Sequence, residues 1–224
     1  MAIKVQPFVI DQAVLDLIGN EFRFDHAKGL AEWLKNSSDA YLREGVPDTD
    51  QVMIVRFTET GKSLTRIECI DFVGMSKKQI DEAFKRFFDP QAAKKGAKQA
   101  NLKTLGGHGN GGKFYMRQMF RSSRFVTYRD GKLNVFGFDR EKRYGYAANQ
   151  KNRRMSLDAA LKFARIDDLD IPAAVRKRWR KTKNPGFTVV IGDGPHKFSG
   201  RATIDSILGK LRVHPQAKPL VTHN

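Results

Sequence analysis

Three polar side chains of types that could support chemistry lie on one face of a predicted helix. Apolar spacing indicates a helix over residues 29–44, on which Glu32, Asn36 and Asp39 fall at i, i+4 and i+7. A carboxylate that orients a water and a carboxamide that holds a metal ion are two of the groups that phosphoryl hydrolysis needs. A solvated helix face would show the same pattern, so this helix by itself does not establish a site.

An aspartate at the end of a predicted strand forms a second candidate group. Asp71 ends the β-rich run of residues 65–71, and Gly74 and Met75 follow in a turn. A carboxylate in that place can accept a hydrogen bond from an exocyclic amine such as that of adenine. An ordinary turn between a strand and a helix contains the same residue types, so this motif has weight only together with others.

A run of glycines before a predicted helix forms the third group, with five glycines within seven residues. Such a run leaves backbone N–H groups free to face phosphate oxygens, and the helix dipole adds to the attraction. The spacing matches neither the Walker P-loop nor the dinucleotide-binding fingerprint. A flexible linker is the alternative, but the tight grouping and the apolar helical run that follows speak against it. The residues of this run are Gly106, Gly107, His108, Gly109, Asn110, Gly111, Gly112 and Lys113.

In this order the three motifs resemble those of the GHKL ATPase superfamily, which includes the gyrase B subunit, the ninety-kilodalton heat-shock chaperone, histidine kinases and MutL. Residues 32–40 match the first motif, E-x3-N-x2-D-A, at every defining position. Residues 106–111 match the glycine motif of the gyrase type, and residues 109–113 resemble the corresponding stretch of Morc-type ATPases. The resemblance covers residues 25–138 and implies that the protein binds ATP and Mg²⁺.

The resemblance also implies a role for each residue of the first and third motifs. Glu32 would be the general base that activates water, Asn36 would bind Mg²⁺, and Asp39 would support the pocket from behind. The glycine run would belong to a lid over residues 89–112 that closes on the nucleotide. The residues implied to hold the phosphates are Gly109, Gly111 and Lys113.

For the adenine, the resemblance implies that Asp71 accepts a hydrogen bond from the amino group and that Gly74 and Met75 shape the pocket. Two departures from the family pattern fall here. The family usually has D-x-G-x-G, whereas the turn after Asp71 is one residue shorter and lacks the middle glycine. Near the last strand the family has Gly-Thr, whereas residues 186–188 are Gly-Phe-Thr, and Thr188 is the candidate substitute.

Glu32 favours ATP hydrolysis, because histidine kinases commonly have Asn at that position. Kinase-like phosphotransfer is therefore a minor alternative. Members of this superfamily often dimerise when the lid closes over ATP, so we expect either a homodimer on ATP binding or a larger partner subunit. A non-catalytic module that binds nucleic acid or protein through a degenerate nucleotide site is the alternative from another functional class.

The net charge of +17 predicts attraction to polyanions, and we expect the protein to act on or near nucleic acid. A basic protein kept in solution by its charge is the simpler alternative. The segment from about residue 140 to 183 is rich in Lys and Arg and includes Trp179, so it could follow a phosphate backbone. The candidate nucleic-acid residues are Arg153, Arg154, Arg176, Lys177, Arg178, Arg180, Lys181 and Lys183.

The order of predicted elements is helix, hairpin, helix, glycine loop, helix, hairpin, basic insert and strand. We expect the first helix to start near Asp25 or His26 and to end at residues 45–47, the second hairpin to turn at Asp130 and Gly131, and residues 187–191 to form a buried strand. This order predicts an α/β two-layer sandwich of the Bergerat type, with a mixed, mostly antiparallel sheet and helices on one face. We expect an N-terminal arm or strap over residues 1–20, an ATP-binding domain over 21–200, and a C-terminal helix and tail over 201–224.

The single cysteine, Cys69, allows no intramolecular disulfide and favours a reducing compartment. No apolar stretch approaches the roughly 18 residues that a membrane span needs, so no membrane partner is expected. The prediction for localisation is the cytoplasm, the nucleus or the nucleoid, and not secretion.

Overall fold

A computed structural model describes residues 25–84, 111–196 and 203–221. The helices are α1 (His26–Arg43), α2 (Lys77–Phe84), α3 (Gly111–Met119), α4 (Leu157–Ala164), α5 (Ala173–Arg180), α6 (Ile204–Val213) and α7 (Lys218–Val221). The strands are β1 (Met53–Thr60), β2 (Ser63–Asp71), β3 (Phe120–Arg129), β4 (Lys132–Phe138), β5 (Tyr144–Tyr146), β6 (Arg153–Arg154) and β7 (Phe187–Pro195). The predictions for residues 1–20 and for the lid up to residue 110 lie outside the described residues.

The seven strands form one sheet in the order β1-β2-β7-β3-β4-β5, with β6 beside β4. Every strand pairing in the described part of the chain is antiparallel. The predicted fold class, an α/β sandwich with a mostly antiparallel sheet, is confirmed. Both predicted hairpins are present, and the turn between β3 and β4 has positive φ at Asp130 and Gly131, as a type I′ turn requires.

Helix α1 begins and ends where its sequence signals predict. The Asp25 carboxylate caps the helix by accepting hydrogen bonds from the backbone N–H groups of Ala27 and Lys28. Gly45 follows the last turn with a φ of +65°, a backbone conformation that stops a helix at low cost for glycine. The apolar face of α1 is buried, including Leu30, Leu34 and Tyr41, as the helical wheel predicts.

One face of the sheet packs against α1, α3 and α6. The core between these layers is largely aromatic and aliphatic, with contributions from Trp33, Phe125, Phe136 and Ile207. Where the sequence suggested a tail, Ala217 is fully buried in this same core, so the described C-terminal helices belong to the sandwich.

The opposite face of the sheet is covered at one end by the basic insert, in which Leu161 of α4 and Ile171 of the loop before α5 belong to one buried cluster with Val189 of β7. At its other end the same sheet carries ion pairs, in which Asp193 accepts from both Arg66 and Arg124. None of the helices within residues 25–84, 111–196 and 203–221 is both long and apolar enough to cross a membrane.

Candidate functional site

Helices α1 and α3 approach each other so closely that a glycine is required at their contact. A Cβ on Gly29 would lie 2.0 Å from Cδ2 of Tyr115, so the ring occupies the space of the missing side chain. The Trp33 ring packs edge-on against Tyr115 at 4.7 Å, and its Nε1 donates to the carbonyl of Gly112 at 3.3 Å. His26 holds the far side of the Tyr115 ring through a 3.0 Å hydrogen bond to its hydroxyl.

This contact places the N-terminus of α3 directly against the polar row of α1. A Cβ on Gly111 would lie 2.8 Å from the carboxyl carbon of Glu32, and one on Gly112 would lie 2.9 Å from Nδ2 of Asn36. The structure therefore brings the last two glycines of the run together with the first two members of the row. Any side chain at either glycine would displace the polar group beside it.

The middle member of the polar row is more exposed than its two ends. Glu32 and Asp39 are half-buried, whereas Asn36 between them is exposed. Burial raises the pKa of Asp39, and the positive charges of Lys35 and Arg43 oppose that shift. The negative charge of Glu32 adds to the rise in the pKa of Asp39, so the two carboxylates of the row influence each other.

The Asp71 carboxylate lies buried under α1, with only 5% of the residue exposed. The Ser37 hydroxyl donates to Oδ2 at 2.8 Å, and the backbone N–H of Val73 donates to Oδ1 at 3.1 Å. Burial raises the pKa of Asp71 to about 6, and the hydrogen bonds from Ser37, Val73 and Gly74 limit that rise. Ser37 immediately follows Asn36, so α1 links the two groups of site residues.

The short turn after Asp71 is closed by contacts with β3. Gly74 has a φ of +79°, and a Cβ there would lie 2.1 Å from the carbonyl oxygen of Tyr128. The backbone N–H of Met75 donates to Oγ1 of Thr127 at 2.8 Å. The turn after Asp71 is therefore well connected although it is shorter than the family pattern, and its conformation requires a glycine at position 74.

A line of buried polar side chains crosses β2, β7, β3 and β4 on the face of the sheet that α1 and α3 cover. Strand register pairs Asp71 with Thr188, Thr188 with Thr127, and Thr127 with Asn134. The hydroxyls of Thr127 and Thr188 are 3.1 Å apart, and all four residues are buried. Thr188 thus lies beside Asp71 in the sheet.

Sequence reasoning missed Ser37, Thr127 and Asn134. A signal was present in each case, because a polar residue stands at a position whose helical or strand periodicity faces the core. Lys113 is buried in the first turn of α3. Gly106, Gly107, His108, Gly109 and Asn110 lie outside the described residues.

The candidate nucleic-acid residues divide into two sets. Three arginines already make protein contacts: Arg178 binds Asp50 through two nitrogens, Arg180 binds Asp158, and Arg176 donates to two backbone carbonyls. The other five, all exposed, make no such ion pair within the described part of the chain, although Arg153 donates to the side chain of Gln150. They are Arg153, Arg154, Lys177, Lys181 and Lys183.

Trp179 is a packing residue rather than an open aromatic surface. Its Nε1 donates to the carbonyl of Gly186 at 2.9 Å, and its ring meets Phe72 edge-on at 5.1 Å. Because Phe72 directly follows Asp71, the basic insert supports the back of the turn that carries the buried carboxylate.

No group of three or more His, Cys, Asp and Glu side chains that could hold a metal ion occurs in residues 25–84, 111–196 and 203–221. The donors near α3 are of another kind, a carboxylate and an exposed carboxamide at a helix N-terminus. Mg²⁺ is often bound in this way, through one or two protein oxygens together with phosphate and water. The residues therefore fit a magnesium ion that arrives with a nucleotide.

Comparison with protein-family models found no match, and comparison with curated proteins found none either. The fold and the arrangement of the residues around α1 are thus the observations from which a function can be argued.

Proposed function

We propose that the protein binds ATP with Mg²⁺ beside the junction of α1 and α3 and hydrolyses it. One observation carries this proposal: the Glu32 carboxylate and the Asn36 carboxamide lie against the two glycines that begin α3. A polar row that serves only as a solvated helix face would not need to be in contact with the end of a second helix. Here α3 contacts the polar row with its N-terminal end, which attracts anions.

Each group at this junction has a task in such a reaction. Glu32, half-buried, would orient a water and accept its proton, while the amide oxygen of Asn36 would bind the metal. When bound, Mg²⁺ would offset phosphate charge and polarise the phosphoryl group. The backbone N–H groups of Gly111 and Gly112, at the start of α3, would donate to phosphate oxygens. Lys113 would add a positive charge.

The buried carboxylate under α1 suits a nucleobase with an exocyclic amine. Ser37 and the backbone N–H groups of Val73 and Gly74 fix the orientation of the Asp71 carboxylate, and these donors leave one lone-pair site of the carboxylate for a ligand donor. The Thr188 hydroxyl lies at the neighbouring register position. Adenine, which donates through its amino group, is therefore the base that we propose.

Steady-state phosphate release and equilibrium ATP binding, each with and without Mg²⁺, test the proposal. We expect Glu32→Gln to lower the hydrolysis rate by about 10²- to 10⁴-fold with little change in ATP affinity, since a general base acts in the transition state. Asn36→Ala should remove the Mg²⁺-dependent part of the affinity. Glu59→Gln, at an exposed position of β1, is the matched control and should change neither quantity.

Absence of ATP binding by the wild-type protein would refute the proposal and leave the non-catalytic binding module. Hydrolysis that persists in Glu32→Gln would refute the role of Glu32 alone. Transfer of phosphate to a protein side chain, instead of release, would favour the kinase-like alternative.

We also propose that the exposed cations of the basic insert contact nucleic acid. The support is that Lys177, Lys181 and Lys183 are exposed and that the chain carries a net charge of +17, more than one nucleotide needs. Lid closure, dimerisation on ATP binding and localisation stay predictions from the sequence.

A further inference from the structure

Helix α4 exposes an aromatic side chain on its outer side. Phe163 is 43% exposed, whereas Ala160, Leu161 and Ala164 of the same helix are buried. Among the residues that the structure describes, Leu42 and Val213 are the other large apolar side chains with comparable exposure, and neither is aromatic. An exposed phenylalanine therefore occurs at one place in the described surface, and that place is the basic insert.

A guanidinium group accompanies this ring. The Arg153 Cζ lies 5.9 Å from the centroid of Phe163, within the range of a cation–π contact. Arg153 belongs to β6 and is itself exposed, with Nη1 donating to the side chain of Gln150 at 3.2 Å. The pair thus joins an apolar ring and a positive charge from two different elements on one surface.

The charge around this pair is mainly positive. Further exposed cations adjoin it in the chain, Arg154 after Arg153 and Lys162 before Phe163. Asp158, one turn earlier on α4, is bound to Arg180 at 2.8 Å, which neutralises the acidic residue of this helix. Asp167 and Asp168, in the loop after α4, are the next exposed acids along the chain.

We propose that Phe163 and Arg153 form a stacking site for an unpaired base of single-stranded nucleic acid. An exposed ring stacks any base whose face is free, and the cations beside it contact the backbone phosphates. In a duplex the base faces are covered by their neighbours, so a duplex would meet the charges alone. The proposal does not depend on the nucleotide site beside the junction of α1 and α3; it rests on the proposed nucleic-acid contact and names the form of the ligand.

Fluorescence anisotropy with labelled oligothymidylate and with a duplex of equal length, over a series of salt concentrations, tests the proposal. We expect Phe163→Ala to raise Kd for the single strand roughly tenfold, the size typical of one lost base stack, and to leave duplex binding almost unchanged. Phe163→Trp should preserve or strengthen single-strand binding. Val213→Ala, at a position 75% exposed on α6, is the control for loss of an exposed apolar side chain and should change neither Kd.

Equal weakening of single-strand and duplex binding by Phe163→Ala would overturn the proposal, as would unchanged binding of both or no binding by the wild type. Because Phe163 is exposed, its variant should unfold at the wild-type temperature, and circular dichroism verifies this. ATP hydrolysis by the same variant should equal that of the wild type. A failure of the stacking site is therefore distinguishable from a failure of the nucleotide site.

Discussion

The two faces of the sheet hold their polar groups in opposite ways. On the face covered by α1 and α3, Asp71 and Thr127 are buried, and Glu32 lies against a backbone that leaves no room for a side chain. On the face covered by the basic insert, Arg178 and Lys177 are exposed at the surface. On the first face the positions of the polar groups are fixed by backbone packing and cannot change unless a helix moves. On the second face the polar groups form a charged surface without such constraints.

The difference shows what makes a row of polar residues a candidate site. The insert is the more strongly charged region, but its arginines meet single acids such as Asp50 and Asp158, as solvated surfaces commonly do. The polar row on α1 carries less charge, but Gly29 allows the N-terminal end of α3 to lie against it. Close backbone approach, rather than charge density, therefore distinguishes the region to which we assign chemistry.

Replacement of Gly29 should produce the largest effect, because it acts on the contact that positions the first face. In Gly29→Ala the new Cβ would overlap the Tyr115 ring, so α3 must shift. We expect a loss of about 1–3 kcal/mol in the free energy of unfolding, the usual cost of overpacking. ATP hydrolysis should fall about 10²-fold through misplacement of α3 relative to Glu32. Urea denaturation and phosphate release measure the two effects.

Gly209→Ala is the matched control, since a Cβ at that position of α6 would meet nothing within 4 Å. It should raise the free energy of unfolding by about 0.5–1 kcal/mol, the usual gain from alanine inside a helix. If both variants gave the same change, the tight contact between α1 and α3 would not exist in solution.

The buried carboxylate should make stability depend on pH in a direction that can be checked. The pKa of Asp71 rises from an ordinary value of 3.8 to about 6 in the folded protein. Between these values the folded state binds more protons than the unfolded state, so the contribution of Asp71 is fully present below pH 3.8 and is lost as the pH rises through about 6. Asp71→Asn removes this titration.

The free energy of unfolding of Asp71→Asn minus that of the wild type should therefore increase from about pH 4 to about pH 7, by at most ~3 kcal/mol. Urea denaturation across that range measures it. Ser37→Ala removes a hydrogen bond that lowers the pKa and should extend the pH-dependent range upward. A difference that is constant with pH would mean that Asp71 is not buried in solution.

On the second face, substitutions of neighbouring cations should have small but distinguishable effects. Lys177→Gln should weaken duplex binding and reduce the slope of log Kd against log salt by about 1, as loss of one phosphate contact does. Arg178→Gln should change the slope less, because both of its bonding nitrogens already contact Asp50. Anisotropy titrations at several salt concentrations compare the two, and equal slopes would contradict the division of the insert into paired and exposed cations.

Local pattern was sufficient to predict much of the fold. The hairpin with Asp130 and Gly131, the helix capped by Asp25 and the buried strand at residues 187–191 are confirmed, because turn chemistry, capping and apolar periodicity act over a few residues. The buried face of α1 follows from the same periodicity. Periodicity could not predict that the Trp179 ring packs against Phe72, since Phe72 comes from a distant segment of the chain.

The sequence by itself determined which side chains are present and in what local order: Glu32 four residues before Asn36, an aspartate at a strand end, and glycines before a helix. The tertiary structure decided which of these groups meet. It placed α3 on α1 through the Gly29–Tyr115 contact and aligned Asp71 with Thr188 across two strands. The physical reason is that these contacts join residues far apart in the chain, through packing of whole helices and strands that local spacing does not encode.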